Sequence, residues 1–300
     1  MPEFAEVAAP AKVNLFLRVL AREASGYHAL ETLFCALSMA DTVRVQRGAA
    51  GIRLHVDGAV DTGPPERNLC VRAAERFHAA IGESAALDIH LAKRIPSAAG
   101  MGGGSSDGAA TLRALNALHG EPLDDAALLR MAIELGSDVP FFACGSALAL
   151  AWSRGERLLA LPPLPPRPVI VAHPGVAMPT PEAFRRIAER RGGGYAPDAR
   201  SLALDALRGW DSVEALAEND FEAVVAEEIP FIELAKSALR QGGARMAMMA
   251  GSGSSVFGIF DSADARDHTL ERMRGLRMRA WAAETADAVP PVRICPVGDD

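Results

Sequence analysis

Residues 96–106 form a glycine-rich segment whose composition suits the binding of phosphate groups. The segment follows an alternating apolar pattern at residues 87–92, which predicts a strand, and precedes leucines at helical spacing, which predict a helix. Glycines let backbone amides approach an anion, and a helix start offers unpaired N–H groups and the positive end of the helix dipole. The predicted phosphate-binding residues are Pro96, Ser97, Ala98, Ala99, Gly100, Met101, Gly102, Gly103, Gly104, Ser105 and Ser106.

This segment, the first glycine loop, differs from two common nucleotide-binding motifs. A Walker A loop has lysine and then serine or threonine directly after its last glycine, whereas Ser105 and Ser106 follow Gly104. The glycine spacing also differs from that of a dinucleotide fingerprint, so a Rossmann domain is the weaker alternative. A tight or flexible turn is the other alternative. We expect the helix to begin at the serines, with Ser105, Ser106 and Asp107 supplying capping oxygens.

Two charged residues outside the loop are candidates for acid, base or electrostatic chemistry. Lys12 begins an apolar strand pattern and is one of only three lysines in the chain. A partly buried ammonium needs an anionic partner, although a strand-end lysine that extends to solvent explains the position equally well. Asp138 lies in a short turn, from which a carboxylate can be aimed at a substrate hydroxyl. Ordinary turn chemistry is the alternative for this aspartate.

Aromatic and histidine side chains provide weaker candidates. Tyr27 and His28 combine an aromatic face with a hydrogen-bonding ring, which suits a flat heterocycle. A capped loop with a half-buried ring is the alternative interpretation. The same alternative applies to His173 at the end of a predicted strand, so position alone does not decide its role.

Composition limits the class of protein. A chain of 300 residues with 49% hydrophobic side chains can bury a sizeable core, and its length favours two domains. The net charge of −7 argues against binding to nucleic acid or a membrane surface, so an anionic ligand needs a local site. The four cysteines lack the spacing of metal ligands, which fits reduced thiols. No uncharged run is long enough to span a bilayer. We therefore predict a cytoplasmic protein.

The elements that position these residues follow from periodicity and turn signals. Mixed strand and helix patterns up to about residue 155 predict an α+β domain, including a helix at 124–135 that ends at Gly136. A proline cluster at 161–168 marks a boundary. Residues 246–260 predict a strand, a glycine loop and a second strand. The predicted divisions are a domain at 1–160, a domain at 161–285 and a tail at 286–300.

Three motifs in chain order resemble those of the GHMP small-molecule kinases: PAKVNLFL at 10–17, PSAAGMGGGSSDGAA at 96–110 and GSGSSVFGIF at 251–260. Four further segments are similar to the branch that phosphorylates cytidine-diphosphate methylerythritol: GYH at 26–28, GSDVPFF at 136–142, AHPGVAMPTPEAF at 172–184 and NDFE at 219–222. The resemblance implies a two-domain α+β GHMP kinase fold. Its N-terminal domain would be similar to ribosomal protein S5, and its C-terminal domain would be ferredoxin-like.

The resemblance also implies an activity. The expected reaction is ATP-dependent phosphorylation of the 2-hydroxyl of cytidine-diphosphate methylerythritol, with Mg²⁺, in the non-mevalonate route to isoprenoid precursors. The expected partner is that small-molecule substrate, with no nucleic acid or membrane, and the protein would be a monomer or a homodimer. Two alternatives remain: another GHMP kinase, of homoserine or mevalonate type, and a nucleotide-binding regulator without catalysis.

Site roles follow from the resemblance residue by residue. Lys12 and Asp138 match the catalytic pair, and Asn68 matches the adenine side of the ATP site. The residues that match substrate-binding positions are Asn14, Tyr27, His28 and Phe184. Tyr27 and Phe184 would hold the cytosine between their rings, while His28 would bind its edge. The resemblance assigns no metal ligands.

Overall fold

The computed structural model describes residues 3–22, 28–58, 62–192 and 202–296. Tyr27, a predicted substrate-binding residue, lies outside them. The strands of the described residues are β1 (Glu3–Arg22), β2 (His28–Arg47), β3 (Gly51–Asp57), β4 (Ala86–Ala92), β5 (Leu148–Ser153), β6 (Arg157–Ala160), β7 (Pro168–His173), β8 (Met246–Met249), β9 (Val256–Ile259), β10 (Arg279–Glu284) and β11 (Arg293–Pro296).

The helices of the same residues are α1 (Leu69–Ile81), α2 (Gly103–Leu118), α3 (Asp125–Leu135), α4 (Val139–Ala143), α5 (Thr180–Arg190), α6 (Trp210–Ala215), α7 (Glu222–Val225), α8 (Phe231–Gln241) and α9 (Ala263–Gly275). The predicted helix at 124–135 corresponds to α3, whose N-cap Asp124 accepts a hydrogen bond from the backbone of Ala127 at 2.8 Å. Within the described ranges, no helix has both the length and the apolar composition needed to cross a bilayer.

The strands form two sheets. The first has the order β11-β1-β2-β4-β3, and β5 pairs with the first half of β2 and then with β6. All of its pairs are antiparallel except β3 with β4. The second sheet is antiparallel, with the order β10-β7-β9-β8. The predicted strand, loop and strand at 246–260 are β8, the turn after it, and β9.

Three apolar clusters hold these layers together. The first packs helices α1 to α4 against the first sheet, and the third packs α5 and α7 to α9 against the second sheet. The second cluster lies between the sheets and joins residues of β1 and β2 to residues of β7 to β9. Helices therefore cover the outer faces of two sheets that pack on each other. The predicted α+β fold is confirmed.

A register shift in β1 turns its side chains toward different layers. The shift lies between Pro10 and Lys12 in the pairing with β2. The odd residues before it, 5, 7 and 9, belong to the first apolar cluster, whereas the odd residues 11, 13 and 15 belong to the cluster between the sheets. Lys12 and Asn14 consequently lie on the opposite side of the strand, where they line a cavity.

Residues 286–296 of the predicted tail pack on the rest of the protein. Backbone N–H of Ala286 donates to the carbonyl of Ala36 at 2.8 Å, and Arg113 donates to the carbonyl of Pro290 at 2.6 Å. The strand β11 then pairs with residues 3–6 of β1 and covers that edge of the first sheet. The domain limits at 160 and 161 stay a prediction; β6 ends at Ala160 and β7 begins at Pro168.

Candidate active site

A cavity of about 1230 Å³ brings together most of the predicted site residues. Its lining includes Lys12, Asn14, His28, Asn68, Asp138, Phe184 and residues 96–105. Ser106, the last residue of the first glycine loop, is buried and does not line the cavity. These side chains come from β1, β2, the start of α1, the first glycine loop, the turn before α4, and α5. Segments that are distant in the sequence therefore meet at one site.

The Lys12 side chain is buried, and its ammonium contacts Asn14, Asp138 and the ring of Phe34. Its Nζ donates to Asn14 Oδ1 at 2.9 Å, lies 3.5 Å from Asp138 Oδ2, and lies 4.9 Å from the centroid of the Phe34 ring. Asn14 in turn donates to Thr32 Oγ1 at 2.7 Å. The lysine side chain is 5% exposed, so it does not extend to solvent. The alternative of a solvent-extended lysine is wrong, and the ammonium has the anionic partner that its burial requires.

Asp138 lies at the start of the short helix α4, directly after the turn at residues 136–137. Its side chain is 33% exposed, and the carboxylate therefore faces both Lys12 and the open cavity. Gly155, with φ of 108°, brings a second turn against it, and a Cβ at Gly155 would lie 3.9 Å from Asp138 Oδ1. The arrangement leaves a carboxylate accessible to a ligand hydroxyl beside a buried ammonium.

The first glycine loop ends in a helix start that differs from the sequence prediction. The N-cap of α2 is Gly102, in the left-handed conformation with φ of 69°, and no side chain of the described residues caps it. A Cβ at Gly102 would lie 3.0 Å from the Phe142 ring, so both the left-handed backbone and the crowding favour glycine here. Ser106 Oγ is buried without a hydrogen-bond partner in the described residues. The predicted capping by Ser105, Ser106 and Asp107 is therefore wrong.

The first glycine loop is in direct contact with a second one, residues 250–255, between β8 and β9. A Cβ at Gly100 would overlap the carbonyl oxygen of Ala250, and one at Gly251 would lie 2.7 Å from the carbonyl oxygen of Gly100. Backbone N–H of Ser255 donates to the carbonyl of Ala99 at 3.3 Å. Because Gly251 also lines the cavity, the second loop forms part of its wall.

Lys93 is a site residue that the sequence analysis missed. Its Nζ forms an ion pair with Asp41 and another, at 2.7 Å, with Asp107 Oδ2, and both Lys93 and Asp107 line the cavity. Asp41 Oδ1 also accepts from the backbone N–H of Arg94 at 2.5 Å and of Ile95 at 2.8 Å. This cluster fixes the chain as it enters the first glycine loop and again as it continues into α2.

The charge of this cluster is affected by its burial. Burial raises the pKa of Asp107 to about 7; Asp41 also raises it, while Lys93 lowers it. All three lysines of the chain share the same environment, because Lys12, Lys93 and Lys236 are 4–7% exposed and each contacts a carboxylate. The rarity of lysine was the sequence signal that could have identified Lys93.

Aromatic rings form the other end of the cavity. The His28 ring stacks on the Phe184 ring with centroids 4.7 Å apart and planes 16° apart, and Phe184 meets Phe221 edge to face at 4.8 Å. The prediction placed cytosine against Phe184 and assigned His28 to its edge. In the structure one face of Phe184 is covered by His28, and a centroid distance of 4.7 Å leaves no room for a third ring between them.

The cavity is more basic than the chain as a whole. Five basic side chains line it, Lys12, Arg67, Lys93, Arg154 and Arg185, together with three acidic ones, Asp107, Asp138 and Glu189. The complete chain carries a net charge of −7. The excess of positive charge is therefore local, and the starts of α1 and α2, both at this cavity, add the positive ends of two helix dipoles.

Comparison with known proteins assigns a class to this fold and site. The model of the GHMP kinases N terminal domain matches residues 68–146, and that of the GHMP kinases C terminal domain matches residues 202–276. The protein is thus a small-molecule kinase of the GHMP class. A homoserine kinase from Cytophaga hutchinsonii, with 20% sequence identity and a TM-score of 0.68, shares this fold.

More similar relatives define the family. The 4-diphosphocytidyl-2-C-methyl-D-erythritol kinase of Solibacter usitatus is 36% identical, with 96% of both chains covered. That of Thermus thermophilus is 40% identical over 92% of this chain and 95% of its own. A crystal structure of a 4-(cytidine 5'-diphospho)-2C-methyl-D-erythritol kinase has 38% identity and a TM-score of 0.77, covering 94% of this chain and 99% of its own. The chain belongs to the 4-diphosphocytidyl-2-C-methyl-D-erythritol kinase family.

Proposed function

We propose that this protein transfers the γ-phosphoryl group of ATP to the 2-hydroxyl of 4-(cytidine 5'-diphospho)-2-C-methyl-D-erythritol, here called the cytidyl substrate. The observation that carries the proposal is the pair of Lys12 and Asp138, 3.5 Å apart, in one cavity with the first glycine loop. Family membership supports the substrate. The reaction belongs to the non-mevalonate route to isoprenoid precursors.

Asp138 acts as the general base in this proposal. Its carboxylate accepts the proton of the 2-hydroxyl as the hydroxyl oxygen attacks the γ-phosphorus, the bond to the bridging oxygen breaks, and ADP leaves. Lys12 orients this carboxylate and offsets the negative charge that develops on the attacking oxygen. Asn14 supports the step because its Oδ1 fixes the ammonium of Lys12 at 2.9 Å, and it stands beside the bound methylerythritol.

The first glycine loop binds the ATP phosphates in this proposal. Gly100 and Gly102 have φ of 76° and 69°, and both line the cavity, so their backbone lies open to a ligand. The start of α2 at Gly103 presents N–H groups and a positive dipole end to the same space. Asn68, the N-cap of α1, accepts from the backbone of Cys70 at 2.9 Å and lines the cavity, and it is the residue proposed for the adenine side.

A Mg²⁺ ion fits this site as a companion of the nucleotide. Mg²⁺ keeps several waters and binds through phosphate oxygens with one or two protein ligands. In the described ranges, no three His, Cys, Asp or Glu side chains are placed to hold a metal. Ser105, which lines the cavity, would hold it together with Asp107, which also lines the cavity and whose buried Oδ1 has no hydrogen-bond partner in the described residues. When bound, the ion neutralises phosphate charge.

The aromatic end of the cavity binds cytosine in this proposal. Phe184 offers a ring face for stacking, and His28 offers ring nitrogens for the base edge. Because His28 stacks on Phe184 at 4.7 Å, stacking of the base on that face requires the imidazole to move aside. Tyr27, outside the described residues, is the proposed second stacking partner.

The test compares acceptor substrates. Purified protein with ATP and Mg²⁺ is supplied with the cytidyl substrate, homoserine, mevalonate or no acceptor, and ADP formation is measured. We expect ADP formation above the acceptor-free rate only with the cytidyl substrate, and phosphorus NMR should place the new phosphate on the 2-hydroxyl. Faster turnover of homoserine or mevalonate would favour the other GHMP kinases, and no acceptor-dependent ADP with any of the three would contradict the kinase assignment.

A further inference from the structure

Residues 219–222, NDFE, contact several parts of the site, and their role is not explained by the proposed chemistry. Asp220 Oδ2 accepts from the backbone N–H of Val19 at 2.6 Å. Phe221 packs edge to face on Phe184 and lines the cavity. Glu222 Oε1 accepts from the backbone N–H of Met249 at 2.6 Å. The segment therefore touches β1 and α5, which line the cavity, and β8, which leads into the second glycine loop.

Asn219 makes the contacts that reach the second glycine loop. Its side-chain amide nitrogen donates to the carbonyl of Met249 at 2.8 Å and to the carbonyl of Gly251 at 2.9 Å. Its Oδ1 accepts from the backbone N–H of Phe221 at 3.0 Å. Both amide hydrogens and the amide oxygen are thus used, and the residue is 8% exposed. A side-chain amide satisfies this combination, because its NH₂ group donates to two backbone carbonyls while its oxygen accepts from one backbone N–H.

The carbonyl of Gly251 belongs to the loop that abuts the first glycine loop. The space beside Gly251 is so narrow that its Cβ would lie 2.7 Å from the Gly100 carbonyl oxygen. A displacement of Gly251 by a few tenths of an ångström is therefore transmitted to Gly100 by direct contact. Gly100 lies among the residues that the proposed function assigns to the ATP phosphates.

The backbone around Asn219 is attached to the strand that carries Lys12 and Asn14. Leu17 pairs with Asn219 in an isolated parallel bridge; its N–H donates to the carbonyl of Glu218 at 2.8 Å, and its carbonyl accepts from Asp220 at 3.0 Å. Asn219 consequently joins β1 on one side to the second glycine loop on the other. This link through a buried amide adds to the direct hydrogen bond from the backbone N–H of Lys12 to the carbonyl of Met101 in the first glycine loop, at 3.0 Å.

We propose that Asn219 is a positioning residue that sets the distance between β1 and the second glycine loop, and thereby between the Lys12–Asp138 pair and the bound phosphates. This inference rests on the proposed function for its kinetic consequence. Its structural consequence is independent of that function, because the hydrogen bonds to Met249 and Gly251 exist without any ligand. Asn219 touches no reacting atom and acts only through the loops.

The test is the isosteric substitution Asn219→Asp, which replaces both donors by an oxygen that faces two carbonyl oxygens. Asn116→Asp is a matched control, because Asn116 is 7% exposed, donates to the carbonyl of Leu123 at 2.9 Å and accepts from its N–H at 3.1 Å. Asn116 is near the far end of α2, about 20 Å from its start at 1.5 Å per residue, and does not line the cavity.

We expect Asn219→Asp to lower kcat about 10²-fold with both substrates saturating, the size of effect that misplacement by about 1 Å produces. Asn116→Asp should keep at least half of the wild-type kcat even if its Tm falls as much as that of Asn219→Asp. Hydrogen exchange should become faster at the amides of residues 250–255 and 98–104 in Asn219→Asp only. If Asn219→Asp is insoluble, Asn219→Ser, which loses one of the two donors, replaces it in both measurements.

Three results would each overturn the proposal. The first is a wild-type kcat in Asn219→Asp or Asn219→Ser, and the second is an equal loss of kcat in Asn116→Asp. The third is unchanged hydrogen exchange at residues 250–255. A wild-type protein that forms no ADP with the cytidyl substrate would instead contradict the proposed function. In that case the exchange measurement still decides the role of Asn219.

Discussion

The sharpest prediction concerns Asp138→Asn, which removes the proposed base without changing the shape of the side chain. General bases of this kind contribute about 10²- to 10⁴-fold in rate, which corresponds to about 3–5 kcal/mol in the activation free energy. We therefore expect kcat for the cytidyl substrate to fall by that factor. The KM values should change much less, because neither the first glycine loop nor the aromatic residues are altered.

The same substitution is expected to lower stability only modestly, although the Lys12 ammonium loses its anionic partner. Lys12 keeps its hydrogen bond to Asn14 and its position over the Phe34 ring, so the ammonium is not left without partners. Because Lys12 is 5% and Asp138 33% exposed, loss of this ion pair should cost more than the ~0–1 kcal/mol of a surface pair and less than the ~3–5 kcal/mol of a fully buried one. A large loss of rate with a Tm shift of a few degrees at most would distinguish a chemical role from a structural one.

The assay measures ADP release at saturating ATP and cytidyl substrate, beside a thermal melt of each variant. Asp88→Asn is the control, because Asp88 also forms an ion pair, with Arg53 at 2.5 Å, but does not line the cavity. A kcat for Asp138→Asn within about 10-fold of wild type would refute the assignment of the base, since it falls below the range for general bases.

A double-mutant cycle with Lys12→Met tests whether the pair acts as a unit. Residues in direct contact within one catalytic device show non-additive losses. We expect the variant carrying both Lys12→Met and Asp138→Asn to lose little more activity than the worse single variant. Strictly additive losses would show that the two side chains act in separate steps.

Three further predictions address the surroundings of this pair. Gly100→Ala should lower the free energy of unfolding by at least about 1–2 kcal/mol, which is the cost of a left-handed conformation alone, because the new Cβ would also overlap the Ala250 carbonyl. Gly104→Ala is the control, because the space around Gly104 is open and this variant should not be destabilised. Chemical denaturation measures both free energies. Phe184→Leu should raise KM for the cytidyl substrate by roughly 5- to 150-fold while KM for ATP stays constant, because base–aromatic stacking contributes about 1–3 kcal/mol; an equal rise for ATP would contradict the cytosine site. Burial, and to a smaller extent a neighbouring arginine, lower the pKa of His173 in the folded protein. As pH falls below about 6.5, the imidazole therefore gains a proton in the unfolded chain before it does so in the folded one, and stability should decline from pH 7 to pH 5. His173→Asn should reduce that decline in Tm, and an unchanged slope would show that other groups cause it.

The parts of the site that could be predicted from the sequence are those with a local signal. The composition of the first glycine loop predicts phosphate binding, and both ends of α3 are marked by Asp124 and Gly136. Lys12 and Asp138 were identifiable as candidates, yet their contact depends on the register shift in β1 and on the turn before α4. The resemblance to known motifs predicted that Lys12 and Asp138 form a pair, which local sequence patterns could not predict.

The remaining parts depend on contacts between distant residues. Lys93 meets Asp41 and Asp107, which lie 52 and 14 residues away, and no periodic pattern connects the three. The strand β11 reads as a proline-rich tail because its partner, the beginning of β1, lies at the opposite end of the sequence. The N-cap of α2 was predicted wrongly because serine usually caps helices, whereas crowding by Phe142 selects glycine at that position.

The burial of all three lysines has a consequence for chemical labelling. Lys12, Lys93 and Lys236 are each enclosed and engaged with carboxylates, while arginine provides the other basic side chains of the chain. Reagents that acylate primary amines need an accessible, deprotonated amine, and the folded state offers almost none on a lysine side chain. Lysine acylation therefore reports the opening of the structure itself, and arginine-directed reagents are the ones that label the native surface.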